Sequence, residues 1–129
     1  MHQRIAMGLA MLASAAFGAV SVSGLKAQNK APGAYAVIDI SEITDSDTFT
    51  KQLLPKATPP VTAFGGQFIV RTENTVAING TPPKRFVVIA FDSMEKAKAW
   101  ENSPAQKEID ALRAKSTKSR AFIADGTVN

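Results

Sequence analysis

The chain has no cysteine, and its one histidine is His2. The first absence excludes disulfides, thiolate catalysis, cysteine zinc sites and cysteine-ligated iron–sulfur clusters. The second leaves no imidazole beyond position 2 to activate a hydroxyl nucleophile. Phosphate and dinucleotide fingerprints are missing too, because Gly65-Gly66 lacks the required glycine spacing and context. Glu42, Asp45 and Asp47 do not follow a calcium-loop pattern. No pair of carboxylates has a spacing suited to hydrolysis, and no metal site is expected. What is present is globular in composition: 129 residues, 45% hydrophobic and 20% charged, enough for one domain.

The amino terminus reads as a targeting segment. His2 and Arg4 precede residues 5–22, which carry no charge and many small side chains, the pattern of a secretory signal. A cut after Ala27 suits the small-residue requirement, although Leu25 suits it less well. The competing reading is an uncleaved anchor, but the apolar stretch is barely enough against the ~20 residues a bilayer needs, and Ser14, Ser21 and the glycines weaken it further. The expectation is a cleaved signal at 1–27 and one periplasmic or secreted domain at 28–129, with no stable membrane association after cleavage. That cut removes Arg4 and Lys26 and lowers the net charge from +4 to +2. Lys84-Arg85 and the stretch from Lys115 to Arg120 are the only dense basic spots, and neither carries a nucleic-acid module, so no nucleic-acid partner is expected.

The remaining sequence reads as two strand–helix–strand units. Tyr35 to Ile43 alternates, with Ala36, Ile38 and Ile40 on one face and Tyr35, Val37 and Asp39 on the other. Thr44 with Asp47 can cap a short helix carrying Phe49 and Leu53 inward, which Pro55 interrupts. Thr58, Pro59 and Pro60 suit the start of another short helix, ended by Gly65-Gly66. Gln67 to Arg71 is the second strand, with Phe68 and Val70 on one face and Ile69 and Arg71 on the other. A bulge at 72–74 and a further strand at 75–78 precede the turn Asn79-Gly80-Thr81-Pro82-Pro83. Phe86 to Phe91 is the most apolar strand and therefore central, in contact on both faces. A capping box at 92–95 opens a helix with Met94, Ala97 and Trp100 on its packed side. Ser103, Pro104 and Gln106 restart it, and Ala105, Ile109 and Leu112 continue the stripe. Residues 120–124 form the last strand.

The order β-α-β-β-α-β is the ferredoxin-like arrangement, an α+β sandwich with two helices on one face of an antiparallel sheet. The other face carries apolar groups and has no third layer to cover it. Pairing with a second copy, sheet against sheet, solves this and predicts a homodimer.

Three segments carry a family likeness: GGQFIVR at 65–71, KRFVVIAFDSMEKAKAWENSP at 84–104 and LRAKSTKSRAFIADG at 112–126. Together they resemble the domain-of-unknown-function family 1330 over about residues 33–126. The resemblance implies a dimeric α/β-barrel of ferredoxin-like protomers, and distant similarity to small cofactor-free monooxygenases and related pocket proteins. It implies no cofactor and no assigned substrate. Arg71, Trp100, Ser103, Pro104 and Arg113 stand where the family pattern has them. Thr72-Glu73 replaces glycines that often follow the strand arginine, and Gln106 stands near where a tyrosine is usual, so any pocket differs in shape and polarity.

Arg71 is the leading candidate for chemistry, because a guanidinium interrupts an apolar strand and binds carboxylate, phosphate or enolate through paired donors. Its structural alternative is an ion pair with Asp39, Glu73 or a partner subunit. Asp39 is either a base or an arginine partner, and Tyr35 either a donor to a ligand or an interface residue. Trp100 has helix-core spacing and can wall a pocket. Arg113 can bind an anion or pair with Asp110 three residues back. Ser103 is explained by capping. Three functions stay open: a pocket between sheet and helices holding a small anionic or aromatic ligand near Arg71; a cofactor-free monooxygenase-like or isomerase-like enzyme in which Arg71 stabilises negative charge while Asp39 or Tyr35 moves a proton; or a structural or protein-interaction module.

Overall fold

The computed structural model describes residues 33–127. The signal segment expected at 1–27 lies outside the described residues. Strands β1 (Ala34–Ile43), β2 (Gln67–Thr72), β3 (Arg85–Phe91) and β4 (Thr117–Asp125) form one antiparallel sheet in the order β2-β3-β1-β4. Between β1 and β2 run α1 (Ser46–Thr48), a π-helical turn (Phe49–Leu53) and α2 (Leu54–Ala63); between β3 and β4 run α3 (Met94–Glu101) and α4 (Pro104–Ser116). The chain therefore follows strand, helix, strand, strand, helix, strand, with each helical layer broken in two. Among the described residues no helix is long and apolar enough to cross a membrane.

The sheet is open, which corrects the barrel expectation. β3 and β1 are central, while β2 and β4 each pair on one side only, so the four strands do not close on themselves. Closure within one sheet takes about eight tilted strands, twice what the described residues supply.

Cross-strand register sorts the side chains into two faces. On the helix side, Phe68, Ile89, Ala36 and Ile123 stand in one row, and Arg71, Val87, Ile38 and Ala121 in the next. On the far side the rows are Val70, Val88, Val37, Phe122 and then Thr72, Phe86, Asp39, Arg120. The core lies on the helix side: Ala34, Ala36, Val61, Val87, Ile89, Phe91, Ala97 and Trp100 are buried together. Ile40, Phe49, Leu53, Ile109 and Leu112 form a second buried group beside it.

Several local expectations are corrected. Asp45, not Thr44, caps the first helix, accepting from the Thr48 amide at 3.1 Å and the Thr48 hydroxyl at 2.7 Å. Those bonds, the hydroxyl first, hold the Asp45 carboxyl below its ordinary range. Pro55 does not stop the helix. The backbone widens into a π turn just before it, with the Leu54 amide reaching back to the Phe49 carbonyl. The wider turn accommodates the proline ring that would strike the carbonyl four residues back in an ordinary helix. Pro59 and Pro60 lie inside α2 rather than opening a new helix. Residues 75–78 form no strand, and Val76 and Ile78 are exposed. Ala105 is exposed, and Gln106, only 2% exposed, takes the inward position before Ile109.

Other expectations hold. Ser103 caps α4 by accepting from the Gln106 amide at 3.3 Å; α3, by contrast, is capped by Ser93, which accepts from the Lys96 amide at 3.2 Å, one residue beyond the start of the box expected at 92–95. Gly65 ends α2 with φ of 77°, a conformation other residues rarely adopt. Gly66 is required by space: a Cβ there would lie 2.7 Å from Phe91 Cε1.

Candidate functional site

The site begins with an irregularity in β2. Strict alternation puts Phe68 and Arg71 on opposite faces. The register of β2 against β3 slips by one residue between Phe68 and Val70, a β-bulge at Ile69. Phe68 pairs with Ile89 and Arg71 with Val87, both on the helix side. The guanidinium of Arg71 then lies over the Phe68 ring, 4.2 Å from its centroid, and Nη1 donates to Thr58 Oγ1 at 3.5 Å. The expected partition of β2 is thus overturned, and with it the route from Arg71 to Asp39.

Arg71 stands at a cleft between the sheet and the helices. The cleft has a cavity volume of about 70 Å³. Its walls are apolar, from Phe49, Leu53, Val61 and Ile109 among others, and its cations are Arg71, Arg85 and Arg113. The three are not equivalent. Arg113 is bound to Asp110 at 3.0 Å, the spacing-three pair. Arg85 has a side chain 15% exposed, and its carboxylate partner is the solvent-exposed Glu73 at 3.6 Å. Arg71 makes no ion pair among the described residues. Both acids that could neutralise it are engaged elsewhere: Glu73 with Arg85, and Asp39 with Arg120 at 3.1 Å.

A second cavity adjoins the first, sharing Ile38, Trp100 and Arg113. Its cavity volume is about 210 Å³, and it is lined from β1, β4 and the end of α3, including Glu101. The carboxyl of Glu101 is pushed up to about 7, first by burial, then by the adjacent Asp110 carboxylate, which accepts a hydrogen bond from the acid form and repels the ionised one. Lys107, 3.9 Å away, and Arg113 oppose this. Asp110 Oδ1 also accepts from Gln106 Nε2 at 3.2 Å. The indole N–H of Trp100 is buried with no hydrogen-bond partner.

Of the five sequence candidates, Arg71, Trp100 and Arg113 are brought together at the first cleft. Asp39 and Tyr35 are not. They project from the opposite face of the sheet, Tyr35 37% exposed and Asp39 paired with Arg120. Sequence reasoning missed Arg85, although its parity with Val87 and Ile89 places it on the buried face. It also missed Glu101, for which the signal was adjacency to the only tryptophan. Among the described residues no group of three or more His, Asp or Glu is placed to hold a metal ion.

Solved structures resemble this fold at low identity. A protein of unknown function from Rhodopseudomonas palustris, RPA0582, superposes with a TM-score of 0.61 at 9% identity, covering 83% of this chain and 92% of that one. A putative antibiotic biosynthesis monooxygenase from Nitrosomonas europaea gives 0.52 at 15% identity, over 75% and 92%. A dimeric ferredoxin-like protein of unknown function from Thermobifida fusca gives 0.50 at 13%, over 74% and 92%. These likenesses concern the fold. No curated protein sequence matches the chain. A family profile does, over residues 33–127, and so covers every strand and helix just described: the chain belongs to the family described as Domain of unknown function (DUF1330).

Proposed function

We propose that this domain binds a small apolar molecule bearing a carboxylate, held in the first cleft with its carboxylate between Arg71 and Arg85. The observation that carries this reading is the state of Arg71. A guanidinium stands at an apolar cleft with only a threonine hydroxyl at 3.5 Å and an aromatic face for company. A carboxylate ligand supplies the paired acceptors it lacks, and the aliphatic walls receive the rest of the molecule. Hexanoate is a suitable probe. Titration calorimetry is expected to show binding that weakens at least ~10-fold in Arg71→Gln and in Arg85→Gln. Absence of hexanoate binding, or equal binding by both variants, overturns the reading. The enzyme alternative, with Asp39 or Tyr35 moving a proton beside Arg71, is disfavoured because the sheet separates those groups.

We also infer a homodimer formed through the far face of the sheet. The row Val70, Val88, Val37, Phe122 crosses all four strands, and none of these side chains is buried. A second copy offers a matching apolar surface related by two-fold symmetry. The dimeric protein from Thermobifida fusca with a similar fold supports this reading. Sedimentation of residues 28–129 as a monomer at all concentrations excludes it.

A further inference from the structure

The first cleft offers more hydrogen-bond donors than its net charge accounts for. Continuing the register that pairs Thr72 with Phe86 sets Glu73, one residue past β2, against Arg85, the first residue of β3. Glu73 Oε2 lies 3.6 Å from Arg85 Nη1, too far for a hydrogen bond but close for two charges. The Arg85 side chain is 15% exposed and sits over the Phe49 ring, 5.8 Å from its centroid, whereas the Glu73 side chain is 67% exposed. Packing, rather than the acid, therefore holds Arg85 in place. Glu73 offsets the charge of Arg85 without occupying its donors. Arg71 has no acid among the described residues, and Arg113 is offset by Asp110 at 3.0 Å. Arg71 and Arg85 thus present two sets of guanidinium donors with the net charge of one.

We propose that Glu73 sets the charge of the ligand, tuning the first cleft to molecules that carry one negative charge and turning away those that carry two. The inference rests on the carboxylate reading of that cleft and narrows it, to an apolar monocarboxylate rather than the phosphate monoester of the same chain. Two guanidinium groups supply ample N–H donors for the oxygens of one carboxylate. Its single charge matches the net charge the cleft presents. A second charge on the ligand finds no counter-charge left, meets the repulsion of Glu73, and is desolvated against apolar walls without compensation. Coulomb repulsion is proportional to the ligand's charge, so Glu73 weakens a dianion by the square of the factor by which it weakens a monoanion. That proportionality separates a charge filter from the opposite role, in which Glu73 props Arg85 in its binding pose and so strengthens both ligands.

Hexanoate and hexyl phosphate share a chain and differ in charge, the phosphate being a dianion at about pH 8 because its second proton leaves near pH 6. Titration calorimetry in low salt is expected to show the wild type binding hexanoate more tightly than hexyl phosphate. In Glu73→Gln, hexanoate affinity is expected to rise about 3-fold and hexyl phosphate affinity about 10-fold, both gains shrinking in about 0.5 M salt. Asp92→Asn is the control. Asp92 is an exposed acid paired with Lys96 just past the other end of β3, roughly 20 Å from Arg85 by strand rise, and its loss is expected to change neither affinity. The proposal is overturned by tighter binding of hexyl phosphate to the wild type, by hexanoate affinity that falls or stays the same in Glu73→Gln, by equal gains for the two ligands, or by gains of the same size in Asp92→Asn. If any of these occurs while Arg71→Gln still weakens hexanoate binding, the carboxylate reading stands and only this one falls. A wild type that binds neither ligand overturns both.

Discussion

The two faces of the sheet use similar side chains to opposite ends. On the helix side, Ile89, Val87 and Ala36 are buried, and the polar groups that share that face are arginines at a cleft. On the far side, Val88, Val37 and Phe86 alternate with them in the same two strands and remain partly exposed. The far-side ion pair, Asp39 with Arg120, is internally satisfied, whereas the helix-side Arg71 is not. One face has completed its apolar packing and left charge available. The other has completed its charge pairing and left apolar surface available. The first condition suits a small anion, the second another apolar surface.

Adjacent residues of β3 test this difference most strongly. Ile89 is 1% exposed in the main core, and Ile89→Ala is expected to lower stability by about 2–5 kcal/mol through lost burial and the cavity left behind. Val88→Ala, one residue away on the far face, should cost well under ~1.5 kcal/mol at concentrations where the chain is monomeric. Equal losses in urea denaturation would erase the distinction between the faces. Val88→Lys sharpens it: the isolated domain should fold, and sedimentation should show loss of self-association.

Next in size is the helix-side packing around Gly66. A methyl there would lie 2.7 Å from Phe91 Cε1 and 2.9 Å from Val61 Cγ1, so Gly66→Ala should cost about 1–3 kcal/mol. Gly65→Ala should also destabilise, but through backbone strain at φ 77°, since its Cβ would meet nothing within 4 Å. Adding Phe91→Leu separates the two mechanisms, because it can relieve the crowding at Gly66 and has no bearing on the conformation of Gly65.

How far these faces were legible in the sequence differs from strand to strand. β3 alternates throughout and β1 does so as far as Ile40, beyond which its register against β4 shifts, so Ala36, Ile38 and Ile40 could be assigned to the helix side by counting. The cap Ser103 was legible because it satisfies an orphan amide within its own first turn, whereas the cap of α3 fell on Ser93, one residue past the start of the box at 92–95. β2 was not legible, because a bulge is a property of pairing between strands and leaves no necessary mark within either one. That single inserted residue carried Arg71 across the sheet and separated it from Asp39. The π turn before Pro55 was hidden likewise: proline signals a break, and the backbone's other solution is to widen. Barrel closure came from family likeness rather than from any residue pattern, and four strands with two free edges do not provide it.

Glu101 gives a smaller, pH-dependent effect on the helix side. Its carboxyl is held up to about 7 in the fold against an ordinary value of 4.5. Between those values the folded state binds more protons than the unfolded one, so stability falls as pH rises through that window and levels off above it. The side chain is 33% exposed, and solvent screening reduces the decline to roughly 1 kcal/mol. Urea denaturation at a series of pH values should show this slope in the wild type and lose it in Glu101→Gln. A slope that persists in the variant assigns the titration to another group.

The smallest effect belongs to the far face. The Arg120 side chain is 77% exposed, and its pair with Asp39 at 3.1 Å is a surface interaction in the isolated chain. Asp39→Asn should therefore cost about 0.2–1 kcal/mol, less in high salt. This value holds only while the face is open to water. If a second copy covers the sheet, the pair is desolvated, and leaving Arg120 without its acid there costs more than it does in solvent. The cost of Asp39→Asn should then rise with protein concentration, in step with self-association. A cost that stays constant across the monomer–dimer transition would mean that the copies meet elsewhere, and that the apolar row through Val88 and Val37 is not the interface.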